Sequence, residues 1–124
     1  MIKLDQAIGI HQILIEKFGG SSGIKDQGAL EAALNRPFAT FDQKDLYPTA
    51  VEKAAAILES ILINHPFVDG NKRTGYVLMR LILMDGGLDI HASQREKYEF
   101  VIQVTEGKLD ISQIKEWISS HLKK

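Results

Sequence analysis

The chain has 124 residues, with 15 lysines and arginines against 16 aspartates and glutamates and no cysteine, so its net charge is -1. This length fits a single domain, residues 1–124, and the charge balance gives no sign of a nucleic-acid or membrane partner. Without cysteine there is no disulfide framework and no thiolate metal site. The first residues lack the apolar core of a signal peptide, and no apolar run reaches the ~18 residues that span a bilayer. We therefore expect a cytoplasmic protein.

Two helices are predicted in the first third of the chain. Apolar residues from Leu4 to Phe18 recur mostly every three to four residues, and Gly19-Gly20 ends this pattern. His11 falls near the core face on that spacing. After a short loop, Asp26 is predicted to cap a second helix that ends before Pro37.

The middle of the chain is predicted to hold a flap and a central helix. Residues 37–47 mix aromatic and charged side chains without a helical period, which indicates an exposed flap with a short extended ribbon. Pro48 suits the first turn of a third helix. The wide apolar stripe from Ala50 to Leu62 predicts that this helix is largely buried and ends near Asn64.

Three further helices are predicted beyond this point. The fourth runs over residues 70–85, is nearly all apolar after its first turn, and stops at Gly86-Gly87. Ser93 with Glu96 fits the capping box of a fifth helix, and Asp110 fits the cap of a sixth. Six helices without a convincing alternating strand predict an all-α helical bundle with a short flap.

The segment over residues 65–74, His-Pro-Phe-Val-Asp-Gly-Asn-Lys-Arg-Thr, carries the groups that chemistry needs. His65 can take a proton near neutral pH. The first amides of the following helix have no helical partner and can bind an anion. A carboxylate, an amide and two cations converge there, on Asp69, Asn71, Lys72 and Arg73. Together these groups suit a polyphosphate with a divalent metal.

The same residues also allow interpretations that involve no chemistry, and other motifs in the chain can be tested against known patterns. Asp69 could simply cap the helix, a contact worth about 1 kcal/mol. Against this, the helix dipole disfavours the cations Lys72 and Arg73 in a first turn by a few tenths of a kcal/mol, roughly, and a bound anion would reverse that penalty. The glycines of residues 19–25 do not form a P-loop, because no Gly-Lys-Ser/Thr follows. The four histidines offer no close pair from which a zinc site would start.

Residues 65–73 resemble the signature loop of the Fic/Doc superfamily, specifically its Doc (death on curing) branch. Residues 23–26, 33–37 and 45–47 are also similar to that branch, so the resemblance covers most of the chain. It implies an all-helical domain that transfers part of a nucleoside triphosphate to a protein hydroxyl.

The resemblance implies a role for each residue of the loop. His65 would be the general base on the target hydroxyl, and Asp69 would hold Mg²⁺ bridging the phosphates of ATP. The implied phosphate-binding residues are Gly70, Asn71, Lys72 and Arg73, and the implied catalytic residues are His65, Lys72 and Arg73. Phosphoryl transfer depends mainly on positioning and on neutralising charge, which agrees with these roles.

Two positions bear on which group is transferred. Fic enzymes that transfer nucleotides typically have glycine at the position of Lys72 and another arginine at the position of Tyr76. Doc-like toxins share the lysine and are similar to kinases. We therefore favour transfer of the terminal phosphoryl group of ATP to a Ser or Thr hydroxyl. An adenylyltransferase, which would share Gly70, and a catalytically silent partner-binding module remain the alternatives.

The resemblance also suggests partners. The flap over residues 37–47 would hold an extended stretch of the target, and the target associated with Doc-like toxins is elongation factor Tu, which nothing in this sequence itself identifies. Many Fic proteins block their own site with a helix bearing Ser/Thr-x-x-x-Glu-Gly/Asn. The only Glu-Gly here, Glu106-Gly107, has Ile102 in place of the hydroxyl residue. Inhibition is therefore expected from another chain, an antitoxin.

Overall fold

A computed structural model of the protein describes residues 1–123, and helices dominate this range. The helices are α1 Leu4–Phe18, α2 Gln27–Asn35, α3 Ala50–Asn64, α4 Asn71–Asp85, α5 Gln94–Thr105 and α6 Ile111–Ser120. A 3-10 turn, Arg36–Phe38, and an antiparallel ribbon of β1 Thr40–Phe41 and β2 Lys44–Asp45 lie between α2 and α3. The predicted all-α bundle of six helices with a short flap is confirmed. None of the helices in the described range is long and apolar enough to cross a bilayer.

Helix α3 lies at the centre of the core and contacts α2, the 3-10 turn, α4, α5 and α6. Helix α4 packs closely beside it at Gly75. A Cβ at this position would overlap the side chain of Leu62 and lie 3.2 Å from Cγ2 of Ile61, so only glycine allows the approach. This close approach holds the end of α3 against the start of α4. The loop that joins them, residues 65–70, is therefore attached at each end to one of the two most buried helices.

The start of α3 differs from the prediction. The helix begins at Ala50, and the Thr49 hydroxyl accepts a hydrogen bond from the backbone N–H of Glu52 at 3.1 Å. Pro48 lies outside the helix, so its predicted place in the first turn is wrong. A hydroxyl cap satisfies a free helical N–H, which proline cannot do, and this explains why the helix begins after Thr49.

The flap is anchored at its base to α3. Asp42 and Gln43 both have positive φ, as tight hairpin turns require, and they join the two short strands. Pro37 is buried in the 3-10 turn, so the exposed part of the flap starts later than predicted. Arg36 donates from Nε to the Tyr47 hydroxyl at 3.1 Å and pairs with Glu59 on α3 at 2.9 Å.

Candidate active site

The site loop, residues 65–70, begins with a residue in an unfavourable backbone conformation. His65 ends α3 with φ 48° and ψ 61°, in the left-handed region, and its N–H donates to the carbonyl of Ile61 at 3.1 Å. Glycine is the usual residue at such a helix end, because a side chain costs energy there. Within residues 1–123 the imidazole of His65 makes no hydrogen bond. A histidine with free ring nitrogens at a strained position is a candidate for chemistry.

The middle of the loop is fixed from both sides. Phe67 is fully buried and pairs as an isolated β-bridge with Ile24. The carbonyl of Pro66 accepts the N–H groups of Lys25 and Asp26 at 2.8 and 3.0 Å. The segment over residues 23–26 therefore holds the loop in place.

The Asn71 side chain acts as a clamp inside the loop. Its Oδ1 accepts the N–H of Phe67 and its Nδ2 donates to the carbonyl of Phe67, both at 3.0 Å. Both ends of the side-chain amide are therefore used within the fold. What Asn71 can still offer a phosphate is its backbone N–H.

Helix α4 begins with free donors. Gly70 is the N-cap residue with φ 75° and ψ 17°, and no side chain caps the helix there. The first helical hydrogen bond runs from the N–H of Thr74 to the carbonyl of Gly70 at 3.0 Å. The N–H groups of Asn71, Lys72 and Arg73 make no hydrogen bond to any residue in the range 1–123. Such free N–H groups, with the positive end of the helix dipole, form an anion site.

Two cations stand beside these amides. The guanidinium of Arg73 lies over the Phe18 ring, 4.1 Å from its centroid. Neither Lys72 nor Arg73 has a carboxylate partner within ion-pair distance among the residues the structure describes. Because the positive end of the dipole also disfavours both cations, an anion bound at the first turn of α4 would be favoured.

Asp69 is held ionised next to this turn. Its Oδ2 accepts the N–H of Ser21 at 3.1 Å and its Oδ1 accepts the N–H of Gly70 at 2.8 Å. These two hydrogen bonds hold the pKa of the Asp69 carboxyl below its ordinary value, and the bond from Ser21 is the larger cause. A carboxylate offers about four acceptor positions, so it retains capacity for a cation.

The predicted site residues are thus placed on one loop and one helix turn, and two contributions were missed from the sequence. The sequence predicts Gly20 as part of the stop after α1 and Ser21 as part of a loop, and it does not predict that the N–H of Ser21 binds Asp69. The predicted position of His11 near the core face of α1 is confirmed by its burial, whereas its contact with the loop has no signal in the sequence. The chemical roles assigned to the loop residues stay predictions.

The chain is thus an all-α domain in which one central helix begins without a side-chain cap and with two cations in its first turn. The family is given by comparison: the model of the Fic/DOC family matches residues 1–83, and the chain belongs to that family. It is 44% identical over 75 residues to a protein of Mycolicibacterium smegmatis named Toxin Doc, covering 60% of this chain and 58% of that protein. It is 26% identical over 113 residues to Protein kinase doc of Escherichia phage P1, covering 91% of this chain and 88% of that protein.

These relatives place the chain in the Doc branch, as its signature loop suggested. The first relative is matched over little more than half of its length. Its name describes that protein as a toxin, and the name of the phage relative describes a protein kinase.

Proposed function

We propose that the protein is a Doc-like toxin that transfers the terminal phosphoryl group of ATP to a Ser or Thr hydroxyl of a target protein. The first turn of α4 is the observation that carries this proposal. Three free backbone N–H groups and the side chains of Lys72 and Arg73 meet there beside the ionised Asp69. This arrangement suits the charge of a triphosphate. The name of the phage relative supports the kinase class.

In the proposed reaction, His65 takes the proton of the target hydroxyl through a free ring nitrogen. The hydroxyl oxygen attacks the terminal phosphorus of ATP, and the bond from that phosphorus to the bridging oxygen breaks, so that ADP leaves. Arg73, Lys72 and the amides of the helix turn balance the negative charge on the moving group and on ADP. Positioning and charge neutralisation supply most of the catalysis in such transfers.

Asp69 is the residue that would hold Mg²⁺. No cluster of three or more His, Asp and Glu side chains suited to a metal occurs within the described part of the chain. Magnesium is usually bound by one or two carboxylates, with phosphates and water completing its shell, so a single ionised aspartate fits it. When bound, Mg²⁺ would neutralise charge on the phosphates.

Position 76 supports phosphoryl over adenylyl transfer. Tyr76 is only 7% exposed and its ring lies 5.1 Å from the amine of Lys97. Burial raises the pKa of its hydroxyl, so the side chain stays neutral. This position therefore adds no cation to the proposed nucleotide site, whereas Lys72 adds one where, by the resemblance, nucleotide-transferring Fic enzymes have glycine.

The flap is the proposed platform for the target, with elongation factor Tu as the candidate from family resemblance. Strands β1 and β2 pair only with each other within residues 1–123, so each has a free edge. An extended peptide can add to such an edge through main-chain hydrogen bonds. Phe41 is 75% exposed on β1 and could contact a side chain of that peptide.

An antitoxin that inhibits in trans is the proposed partner. Glu106 ends α5 and pairs with Lys108 at 3.1 Å, and no carboxylate in residues 1–123 pairs with Arg73. A cleft of about 400 Å³ lies outside the site loop. It is lined by the segment before α1, by α1, α3 and α4 and by Phe38 of the 3-10 turn, and its apolar residues include Ile2, Ile10, Leu81 and Ile82. This cleft is a surface on which a partner segment could bind.

The direct experiment uses ATP labelled either at the terminal or at the alpha phosphate, with Mg²⁺, the purified protein and a bacterial lysate or purified elongation factor Tu. We expect a labelled protein band with the terminal label only. His65→Ala should abolish it. His121→Ala is the matched control, because His121 lies at the end of α6 and pairs with Glu96, so transfer should persist.

Each other result selects an alternative. Label retained from the alpha position would establish an adenylyltransferase. No label with either substrate, together with unchanged toxicity in cells for His65→Ala and Arg73→Ala, would establish the catalytically silent binding module. Phosphoamino-acid analysis of the labelled band tests whether a Ser or Thr hydroxyl is the acceptor.

A further inference from the structure

His11 is a buried titratable residue that lies outside the site loop and has no part in the reaction described above. It sits on α1 and is 3% exposed. Its Nε2 lies 2.8 Å from the carbonyl oxygen of Asp69, which is 58 residues away in the chain. Its ring stacks on that of Phe67, with centroids 3.9 Å apart and planes inclined by 6°. One side chain thus touches the loop at two points.

The hydrogen bond has a defined direction. A carbonyl oxygen can only accept, so Nε2 of His11 must carry the hydrogen and donate it. The imidazolium form also carries a hydrogen on Nε2, so the bond is compatible with both protonation states. Of the two neutral tautomers, it is compatible only with the one protonated at Nε2.

The position of this carbonyl matters for the anion site. It belongs to the peptide that joins Asp69 to Gly70, and the N–H of the same peptide donates to Oδ1 of Asp69. Gly70 is the left-handed residue from which α4 starts. The ring of His11 lies directly against Gly70, because a Cβ there would be 3.6 Å from Nε2. Rotation of this peptide would therefore displace the carboxylate and the first turn of α4 together.

The stack fixes the other end of the same turn. Phe67 is the residue whose backbone N–H and carbonyl are clamped by Asn71, the first residue of α4. The ring of His11 stacks on Phe67, and its Nε2 donates to the carbonyl of Asp69. These two contacts lie at the two ends of the turn that precedes the free amides.

We propose that His11 is a positioning residue, which holds the turn from Phe67 to Gly70 so that the Asp69 carboxylate and the amides of Asn71, Lys72 and Arg73 keep the geometry that binds a triphosphate. The proposal rests on the proposed transfer function for its kinetic consequence. Its structural consequence, a fixed turn, can be measured without any activity.

Two variants separate the two contacts. His11→Phe keeps a ring to stack on Phe67 but cannot donate, whereas His11→Gln keeps an N–H donor but loses the ring. If the donor positions the site, His11→Phe should lower kcat/KM for ATP by about tenfold or more, because small misplacements of binding groups are costly in transfer reactions. His11→Gln should retain activity within about threefold of wild type, because its side-chain amide can still donate to the Asp69 carbonyl.

Amide hydrogen exchange provides the readout that does not depend on activity. In His11→Phe, the hydrogen-bonded amides of Phe67, Gly70 and Thr74 should exchange faster than in wild type and in His11→Gln, while those in the middle of α3 stay protected. A role confined to core stability would instead lower the melting temperature of both variants and leave site exchange and kcat/KM per folded molecule unchanged. That result would overturn the proposal.

The wild-type protein supplies a test that survives poor folding of a variant. Nitrogen-15 spectra of the His11 ring should show hydrogen on Nε2. A neutral ring protonated only at Nδ1 would contradict the proposed donor. If wild-type protein transfers no label, the proposed function fails, whereas the exchange and the ring spectra still decide the role of His11.

Discussion

The site loop and the C-terminal helix pair, α5 with α6, are built in contrasting ways. Each C-terminal helix starts with a capping box, in which a side chain and a backbone N–H satisfy each other reciprocally; the pairs are Ser93 with Glu96 and Asp110 with Gln113. By contrast, α4 starts at Gly70 without a side-chain cap and with cations in its first turn. The helix before the loop ends at a left-handed His65 rather than at a glycine.

The two histidines at the ends of α3 and α6 show the same difference. His121 stacks on Trp117 at 4.0 Å, and Trp117 stacks on Phe100 at 3.8 Å. The Nε2 of His121 also lies 3.0 Å from Oε2 of Glu96, so the ring is used inside the fold. The ring of His65 makes no hydrogen bond within residues 1–123. The side chains of the C-terminal pair are used to stabilise the fold, whereas the site loop keeps unfavourable features whose energetic cost a bound ligand would offset.

The largest effect is expected from removing the ring at the base of the C-terminal stack. Phe100 is 1% exposed, and Phe100→Ala should lower the free energy of unfolding by about 3–5 kcal/mol through lost burial and a cavity. Urea unfolding measures this loss. Transfer per folded molecule should stay at the wild-type level. A specific loss of transfer in the folded fraction would contradict the claim that the C-terminal helix pair supports stability and not transfer.

The converse change is Arg73→Ala in the site loop. Transfer should fall by roughly 10²–10³-fold, because a preorganised charge partner is lost. The free energy of unfolding should change by no more than about 0.5 kcal/mol, since the lost contact with Phe18 is offset by relief at the helix dipole. Single-turnover kinetics and urea unfolding measure the two quantities.

Arg80→Gln is the matched control for Arg73→Ala on the same helix. Arg80 donates to both carboxylate oxygens of Asp89, at 3.0 and 2.9 Å. Its replacement should cost stability and leave transfer intact. Equal losses of transfer in the two arginine variants would contradict a specific role for Arg73.

A smaller effect with a defined pH dependence is expected at Asp89. The hydrogen bond from Arg80 holds the pKa of the Asp89 carboxyl below its ordinary value. The stabilisation is therefore present above the unfolded pKa, near 4, and is lost as the pH falls through the folded pKa. Asp89→Asn should cost about 1 kcal/mol at pH 7, because Arg80 is partly exposed and solvent screens the pair. The difference in unfolding free energy from wild type should shrink below about pH 4, and a pH-independent difference would refute the charge pair as its cause.

The helix starts could be predicted because a cap and the N–H group that it binds are close together in the sequence. The caps at Asp26, Ser93 and Asp110 lie within three residues of the N–H groups they bind, so the sequence displays both partners together. The same locality explains the error at Pro48, where two neighbouring residues each suited a helix start and the hydroxyl of Thr49 provided the cap.

The support of the site could not be predicted in this way. The carboxylate of Asp69 meets an N–H that is 48 residues away, and its carbonyl meets a ring that is 58 residues away. Neither separation has a sequence period, because the contacts arise from the packing of α1 against α4. The loop residues themselves were recognisable, since base, acid, glycine and cations are adjacent in the chain.

His65→Gly tests the role of the site loop most directly, when stability and transfer are measured together. Glycine adopts the left-handed conformation without the side-chain penalty, so the free energy of unfolding should rise by about 0.5–1 kcal/mol. Transfer of the terminal phosphoryl group should fall by at least about 10²-fold, because the general base is lost. Retained transfer, or a clear loss of stability, would contradict the claim that this loop keeps His65 for chemistry at the expense of stability.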